Sequence, residues 1–300
     1  MSTRADEEDP RVGFVAVLFA VGFVAALAYL RATYPSPGLG ALTPSGALWA
    51  ALFCTQVAAW VVVTVLSVKS IRDLNRREPL NTVVPIARIV AVVIVLAGTC
   101  LLIFETFLDS AAVRRALDNV SPDPGLRRAF AGLGLPVAAT SYVPLMIVGG
   151  ALLITHAALQ RLVGGADALH LQVSRLRDFG SRLRMLLFGA TLLVGLSSAS
   201  AVMLNVARGN ALGEQYFWIH GALYSMLLAL LYIPAHVTLV QKARAVAERM
   251  CPPGNAGSEA GLLQEGRQQV EADMGVQLSG MPGWDVVTSI LIPLATALLG

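Results

Sequence analysis

Long apolar stretches separated by polar loops dominate this chain. A helix rises about 1.5 Å per residue, so about 20 apolar residues cross a hydrocarbon layer about 30 Å thick. Backbone polar groups in lipid need partners within the chain, which makes such stretches helical. Six stretches qualify: 12–30, 47–68, 83–104, 136–156, 185–207 and 216–240. The pattern therefore predicts an all-α integral membrane protein with a bundle of six transmembrane helices.

The basic residues between the stretches indicate an orientation. Loops on one side hold fifteen Arg and Lys residues and loops on the other side hold six, while Arg88 lies inside a stretch. Cytoplasmic loops carry the excess of Arg and Lys. We therefore expect residues 1–11 to form a cytoplasmic N-terminal tail, residues 12–240 the transmembrane domain, and residues 241–300 a cytoplasmic C-terminal tail.

Several shorter elements are predicted outside the six stretches. Two short helices are expected on the outer surface between residues 109 and 136, and an amphipathic helix over residues 259–276 of the tail. The apolar run 286–299 would be about 21 Å long as a helix, which is short for a full crossing. It is expected to be interfacial, re-entrant or packed under the bundle, with a seventh crossing as the alternative.

A basic amphipathic helix is predicted in the inner loop 157–184. Its apolar residues recur at helical spacing, opposite Arg175, Arg177, Arg182 and Arg184. Such a helix is expected to lie in the head-group plane with its arginines facing lipid. It would act either as an ordinary positively charged connector or as a sensor that binds anionic lipids.

Composition agrees with a membrane location. Hydrophobic residues make up 56% of the chain, charged residues 14%, and the mean hydropathy is +0.67, against about 25% charged residues in soluble domains. The net charge of +3 does not indicate nucleic-acid binding, because no basic run is interleaved with stacking aromatics. The preference for Arg over Lys is typical of GC-rich bacterial genomes, so we expect a bacterial cytoplasmic membrane.

Polar residues inside the stretches are few. In 185–207, small and polar residues recur at spacings of four and three and form one seam: Thr191, Gly195, Ser198, Val202 and Asn205. The seam is expected either to pack against a neighbouring helix or to line a water-filled pore. Arg88 would either snorkel to the head groups or face an inner vestibule as an anion-binding or gating residue.

Two histidines are candidate ligands of haem or a metal ion. His156 and His236 are predicted at similar depths near the inner ends of their helices, and a bis-histidine haem needs such a pair on facing helices. One pair without HxxxH or CxxC spacing is a weak indication, and hydrogen bonds to backbone or lipid account for both residues. No cofactor is predicted.

These observations favour a non-enzymatic protein that acts as a homo-oligomeric pore or as a membrane interaction or effector module, with anionic lipids as partners at the inner face. The alternative is a transporter of a neutral or hydrophobic solute, with a cavity near Tyr142, Ser198, His220 and Tyr224. A haem- or metal-binding membrane protein is the third hypothesis. Motifs of hydrolases, metalloproteases and nucleotide-binding proteins are absent in usable contexts.

Overall fold

The computed structural model of the chain describes residues 10–33, 44–77, 134–161, 169–207, 214–250 and 284–298. Throughout these ranges the chain is helical, as the sequence predicts. The helices are α1 Pro10–Thr33, α2 Pro44–Arg77, α3 Gly134–Arg161, α4 Leu169–Ala207, α5 Glu214–Met250 and α6 Trp284–Leu298. The predicted helix 83–104, the two outer-surface helices and the amphipathic helix of the tail lie outside the described residues.

The helices extend beyond the apolar stretches mainly at one end. Where the stretches end at residues 68 and 240 and begin at 185, the helices continue to 77 and 250 and start at 169. At the opposite ends, predicted and observed boundaries agree within three residues. The additional turns carry nine of the twelve arginines in the described helices, because a polar sequence ends the apolar run without breaking the helical hydrogen bonding.

We call these extensions the basic end of the bundle, comprising residues 69–77, 157–161, 169–184 and 241–250. They hold twelve Arg and Lys residues against three acidic residues. Leu74, Leu176, Phe179 and Ala247 are buried there and belong to the main hydrophobic core. The basic end is therefore a packed continuation of the bundle with a cationic exterior.

Helix α4 is the centre of the packing, since α2, α3, α5 and α6 all contact it. Side-chain contacts fix the directions of the neighbours. Helix α2 runs antiparallel to α4, because Val63 lies beside Gly189 while Ser70 lies beside Arg182. Helix α1 packs mainly against α2 at the edge of the bundle.

Two glycines permit close approaches between helices. A Cβ atom built on Gly22 of α1 would lie 2.8 Å from the Cα of Ala58 in α2, and one on Gly189 of α4 would lie 3.0 Å from Cγ1 of Val63. Small residues let helix backbones approach closely. Between helices in lipid, where the hydrophobic effect does not drive association, such van der Waals contact is a main source of packing energy.

The apolar run at the C-terminal side forms α6, which packs lengthwise against α4 and α5. Val286 is buried and Ile290 packs on the main core. Contacts of residues 289 and 292 with residues 191 and 195 make α6 parallel to α4. Their offset of 97 to 98 residues sets α6 beside residues 186–200 of α4. This placement does not fit a helix lying flat beneath the bundle.

Four of the described helices, α1, α2, α4 and α5, are long and apolar enough to cross a membrane. Their outer faces carry large apolar side chains that are more than half exposed: Phe14, Val17, Val21, Val24, Leu48, Val68, Phe188, Met226 and Leu230. Exposed apolar surface of this extent is unusual in a soluble monomer and typical of helices that face lipid.

Candidate functional site: a buried polar layer at mid-depth

Six polar side chains are buried in the middle of the bundle, and we call them the polar layer. They are Gln56 of α2, Ser197, Ser198 and Ser200 of α4, and Tyr224 and Ser225 of α5. Each exposes no more than 7% of its surface. Polar groups in an apolar interior are costly unless they are paired, so a cluster of them calls for an explanation.

The contacts between α2 and α4 place Gln56 level with the serines of α4. Val63 and Gly189 are in contact, and the two helices run in opposite directions. Moving seven residues back from Val63 leads to Gln56, and moving eight residues on from Gly189 leads to Ser197. Both positions lie near the middle of the apolar parts of their helices, 47–68 and 185–207.

The contacts between α4 and α5 bring Tyr224 and Ser225 to nearly the same depth. Val202 and Phe217 pack together in a small cluster near the other end of the bundle. Because these helices are antiparallel, Tyr224 lies within about one helical turn of the level of Ser198. Three helices thus contribute polar side chains at one depth, with Ser198 on the side of α4 that faces α6 and Ser200 on the side that faces α2.

Some hydroxyls of the described helices are paired and others are not. Thr55, Thr155 and Thr238 donate to the carbonyl oxygen four residues earlier in the same helix, at 2.7 to 2.9 Å, whereas Oγ1 of Thr64 in α2 is buried without a partner among the described residues. The Oγ atoms of Ser198, Ser200 and Ser225 are buried and have no hydrogen-bond partner among the described residues. Leaving a buried hydroxyl unpaired costs about 1 to 3 kcal/mol.

The predicted seam of α4 is covered by other helices. Thr191 donates a hydrogen bond to the carbonyl oxygen of Ser289 in α6, at 3.0 Å, and a Cβ atom on Gly195 would lie 3.5 Å from Cγ2 of Ile292. Thr191, Ser198, Val202 and Asn205 are all buried. Of the two alternatives for the seam, the described contacts support packing over an open pore wall.

The basic arginines occupy different environments. Arg175, Arg177 and Arg184 are exposed. That they contact anionic lipid stays a prediction. Arg182 is half-buried, and its Nη1 donates to the carbonyl oxygen of Ser70 in α2 at 2.8 Å and contacts Ser70 Oγ at 3.2 Å. All four lie on the same uninterrupted helix as the apolar part of α4. The structure thus differs from a separate helix in the head-group plane. Arg88 lies outside the described residues.

The two histidines proposed as haem or metal ligands are engaged separately. The Nε2 of His156 lies 3.1 Å from Oγ1 of Thr238, and the Gln160 amide nitrogen lies 3.2 Å from the same Nε2. His236 stacks on Tyr232 of its own helix, with ring centroids 5.6 Å apart. Two residues correspond to about 200° around a helix, so His236 points away from the side of α5 that Thr238 presents to His156.

No group of three His, Cys, Asp or Glu side chains within the described ranges could hold a metal ion. In the alternative cavity, Ser198 and Tyr224 are both buried and lie within about one turn in depth. The side chains of Tyr142 and His220 lie outside the described residues. The sequence interpretation missed Gln56, Ser197, Ser200 and Ser225. An amide in the middle of an otherwise apolar stretch was the signal for Gln56.

The chain was compared with known proteins at the level of families, curated sequences and solved structures. No family model, curated protein or solved structure matches it.

Proposed function

We propose that this protein is embedded in a membrane and passes a small uncharged polar solute through the polar layer. The location proposed is a bacterial cytoplasmic membrane, with the basic end in the cytoplasm next to anionic lipids. The exposed apolar faces of the long helices support insertion in lipid. The function itself rests on one observation: three buried hydroxyls at mid-depth lack partners among the described residues.

The argument from the hydroxyls is energetic. A polar group in the interior of a membrane protein is expensive to leave unpaired, and substrate sites of membrane carriers lie near the midplane. Ser198 and Ser200 lie about 200° apart around α4, so a solute or water molecule on each of two sides of this helix would satisfy them. Ser225 of α5 would be satisfied in the same way. Serine hydroxyls both donate and accept, which suits hydroxyl, amide or water molecules.

The charges argue for an uncharged solute. Within about two turns of the members of the polar layer along α2, α4 and α5, these helices contain no Asp, Glu, Lys or Arg. An ion at this depth would have to give up its hydration shell without a compensating charge. This favours a neutral solute over the ion-conducting pore that the sequence also suggested, and the cover of α5 and α6 over the seam favours it too.

The experiment is uptake into proteoliposomes, followed by light scattering after an osmotic step with glycerol, urea or water as the probe. The wild-type protein is expected to raise the rate for at least one probe above that of empty liposomes. Ser198→Ala, Ser200→Ala and Ser225→Ala together are expected to lower that rate about tenfold or more.

The control is Thr155→Val, which removes a buried hydroxyl that is bonded within its own helix. It is expected to leave uptake unchanged. Stability gives a second readout, since removing unpaired buried hydroxyls is expected to leave the thermal midpoint unchanged or raised. Uptake that matches empty liposomes for every probe, or that survives in the triple variant, would contradict the proposal.

A further inference from the structure

Helix α6 covers the face of α4 that carries the seam, and this is where the polar layer meets its neighbour. Thr191, Gly195 and Ser198 follow one another at spacings of four and three and therefore share one face of α4. The first two contact Ser289 and Ile292 of α6. By its register, α6 also reaches the level of Ser198, so it forms one wall of the layer.

The residues of α4 at this contact do not need α6 to satisfy their own hydrogen bonds. Thr191 is the residue that donates to α6. A threonine in a helix can turn the same hydroxyl to the carbonyl oxygen four residues earlier, as Thr55, Thr155 and Thr238 do here. Gly195 presents no side chain that would lose a partner. Departure of α6 therefore leaves Thr191 paired, while the carbonyl oxygen of Ser289 loses this donor, and Pro293, four residues on, has no N–H to replace it.

Helix α6 is also peripheral, with its packing confined mainly to α4 and α5. Leu291 and Ile292 are 47% and 42% exposed. With 15 residues it is about 22 Å long, which is too short to cross the hydrocarbon layer upright. A helix of this length cannot be anchored at both membrane surfaces at once.

From these observations we propose that α6 is a movable wall: docked on the Thr191 and Gly195 face it closes the polar layer, and displaced it opens a lateral path to Ser198. This inference rests on the proposed transport function. It assigns to the C-terminal helix the role of gate, and to the seam the role of its docking surface.

The test locks α6 in place with a disulfide. Gly195→Cys and Ile292→Cys are introduced after Cys54, Cys100 and Cys251 are replaced by Ala. A Cβ atom at 195 would lie 3.5 Å from Cγ2 of Ile292, and Cβ of Ile292 lies beyond 4 Å, which puts the pair at the upper end of the Cβ separations of disulfides, about 3.5 to 4.5 Å. Oxidation is expected to lower uptake of the probe that wild type transports about tenfold or more, and reduction to restore it.

The matched control locks two helices that the proposal treats as fixed. Val63→Cys and Gly189→Cys join α2 to α4, with Cβ atoms 3.8 Å apart, and their oxidation is expected to leave uptake unchanged. A second variant loosens the gate: Thr191→Val removes the bond to Ser289 at nearly constant shape. It is expected to raise uptake about two- to tenfold, the factor that one hydrogen bond contributes.

The outcomes separate the two proposals. Uptake that is equal in the oxidised and reduced forms of the 195–292 pair overturns the gate and leaves the transport function standing. Failure of this pair to form a disulfide overturns the docked position itself. A wild-type protein that transports no probe overturns the proposed function, and the gate with it. A Thr191→Val variant with unchanged or reduced uptake also counts against the gate.

Discussion

Arg182 of α4 donates to the main-chain carbonyl oxygen of Ser70 in α2, with 2.8 Å between Nη1 and the oxygen. Because this carbonyl lies inside α2, it accepts the backbone N–H four residues on and, in addition, the Arg182 side chain. The contact joins the two helices at the basic end, one turn before the last buried residue of α2, Leu74.

We expect Arg182→Leu to destabilise the bundle. Hydrogen bonds to charged groups contribute about 1.5 to 3 kcal/mol, so the free energy of unfolding in detergent is expected to fall by about 1.5 kcal/mol. Ser70→Ala keeps the main-chain acceptor and is expected to change it by less than half as much. Arg184→Leu, at an exposed position two residues along, is the charge-matched control. Equal effects at 182 and 184 would contradict the structural role of Arg182.

The close approach of α1 to α2 predicts a second effect. Gly22→Ala would place a methyl group 2.8 Å from the Cα of Ala58, which is backbone and cannot move aside. Overpacking of this kind costs about 1 to 3 kcal/mol. We expect a lower midpoint in thermal unfolding followed by tryptophan fluorescence.

The same helix supplies a control for that substitution. Nothing lies within 4 Å of a Cβ atom on Gly13, so Gly13→Ala is expected to be neutral or to stabilise α1 by up to about 1 kcal/mol through its higher helix propensity. Gly189→Ala meets only the end of the Val63 side chain and is expected to fall between the two. A different order of the three midpoints would show that the α1 and α2 backbones are farther apart than described.

The contact between α3 and α5 near the basic end gives a third prediction. Thr238→Val removes the oxygen that lies 3.1 Å from Nε2 of His156 while keeping the shape of the side chain. The loss of one hydrogen bond is expected to lower the free energy of unfolding by about 1 kcal/mol. Thr55→Val is the control, because the Thr55 hydroxyl bonds only within its own helix. If both variants unfold alike, His156 does not join α3 to α5.

Orientation in the membrane can be tested independently of transport. Single cysteines at positions 121 and 249 are introduced in a background that lacks the three native cysteines. The excess of Arg and Lys on one side predicts that an impermeant maleimide added to intact cells labels position 121 and reaches position 249 only after permeabilisation. Labelling in the reverse pattern would invert the proposed orientation.

Hydropathy predicted the existence of the described long helices because a long apolar run is a feature that the sequence displays directly. It did not predict where α2, α4 and α5 end at the basic end, because helical hydrogen bonding continues through arginine while apolarity does not. The boundary expected before Met185 is internal to α4 for this reason.

The polar layer was only partly predictable. Periodicity singled out Ser198 because it lies on the seam, but it also grouped Ser198 with Thr191, whose hydroxyl proves to serve a different helix. Ser200 and Ser225 carry no periodic signal, since their meeting depends on how α4 and α5 pack. The pairing of His156 with His236 was not supported, because depth alone says nothing about which way each side chain points around its helix.

The uninterrupted course of α4 has a mechanical consequence. It is a single stiff helix about 58 Å long. Arg182 bonds it to α2. The exposed arginines Arg175 and Arg177 lie on one side of this bond, and Ser198 lies about 24 Å from it on the other side. Helices α2, α3, α5 and α6 all pack on α4. A change in the tilt of α4 at the basic end would therefore displace all four neighbours together with the hydroxyls at mid-depth.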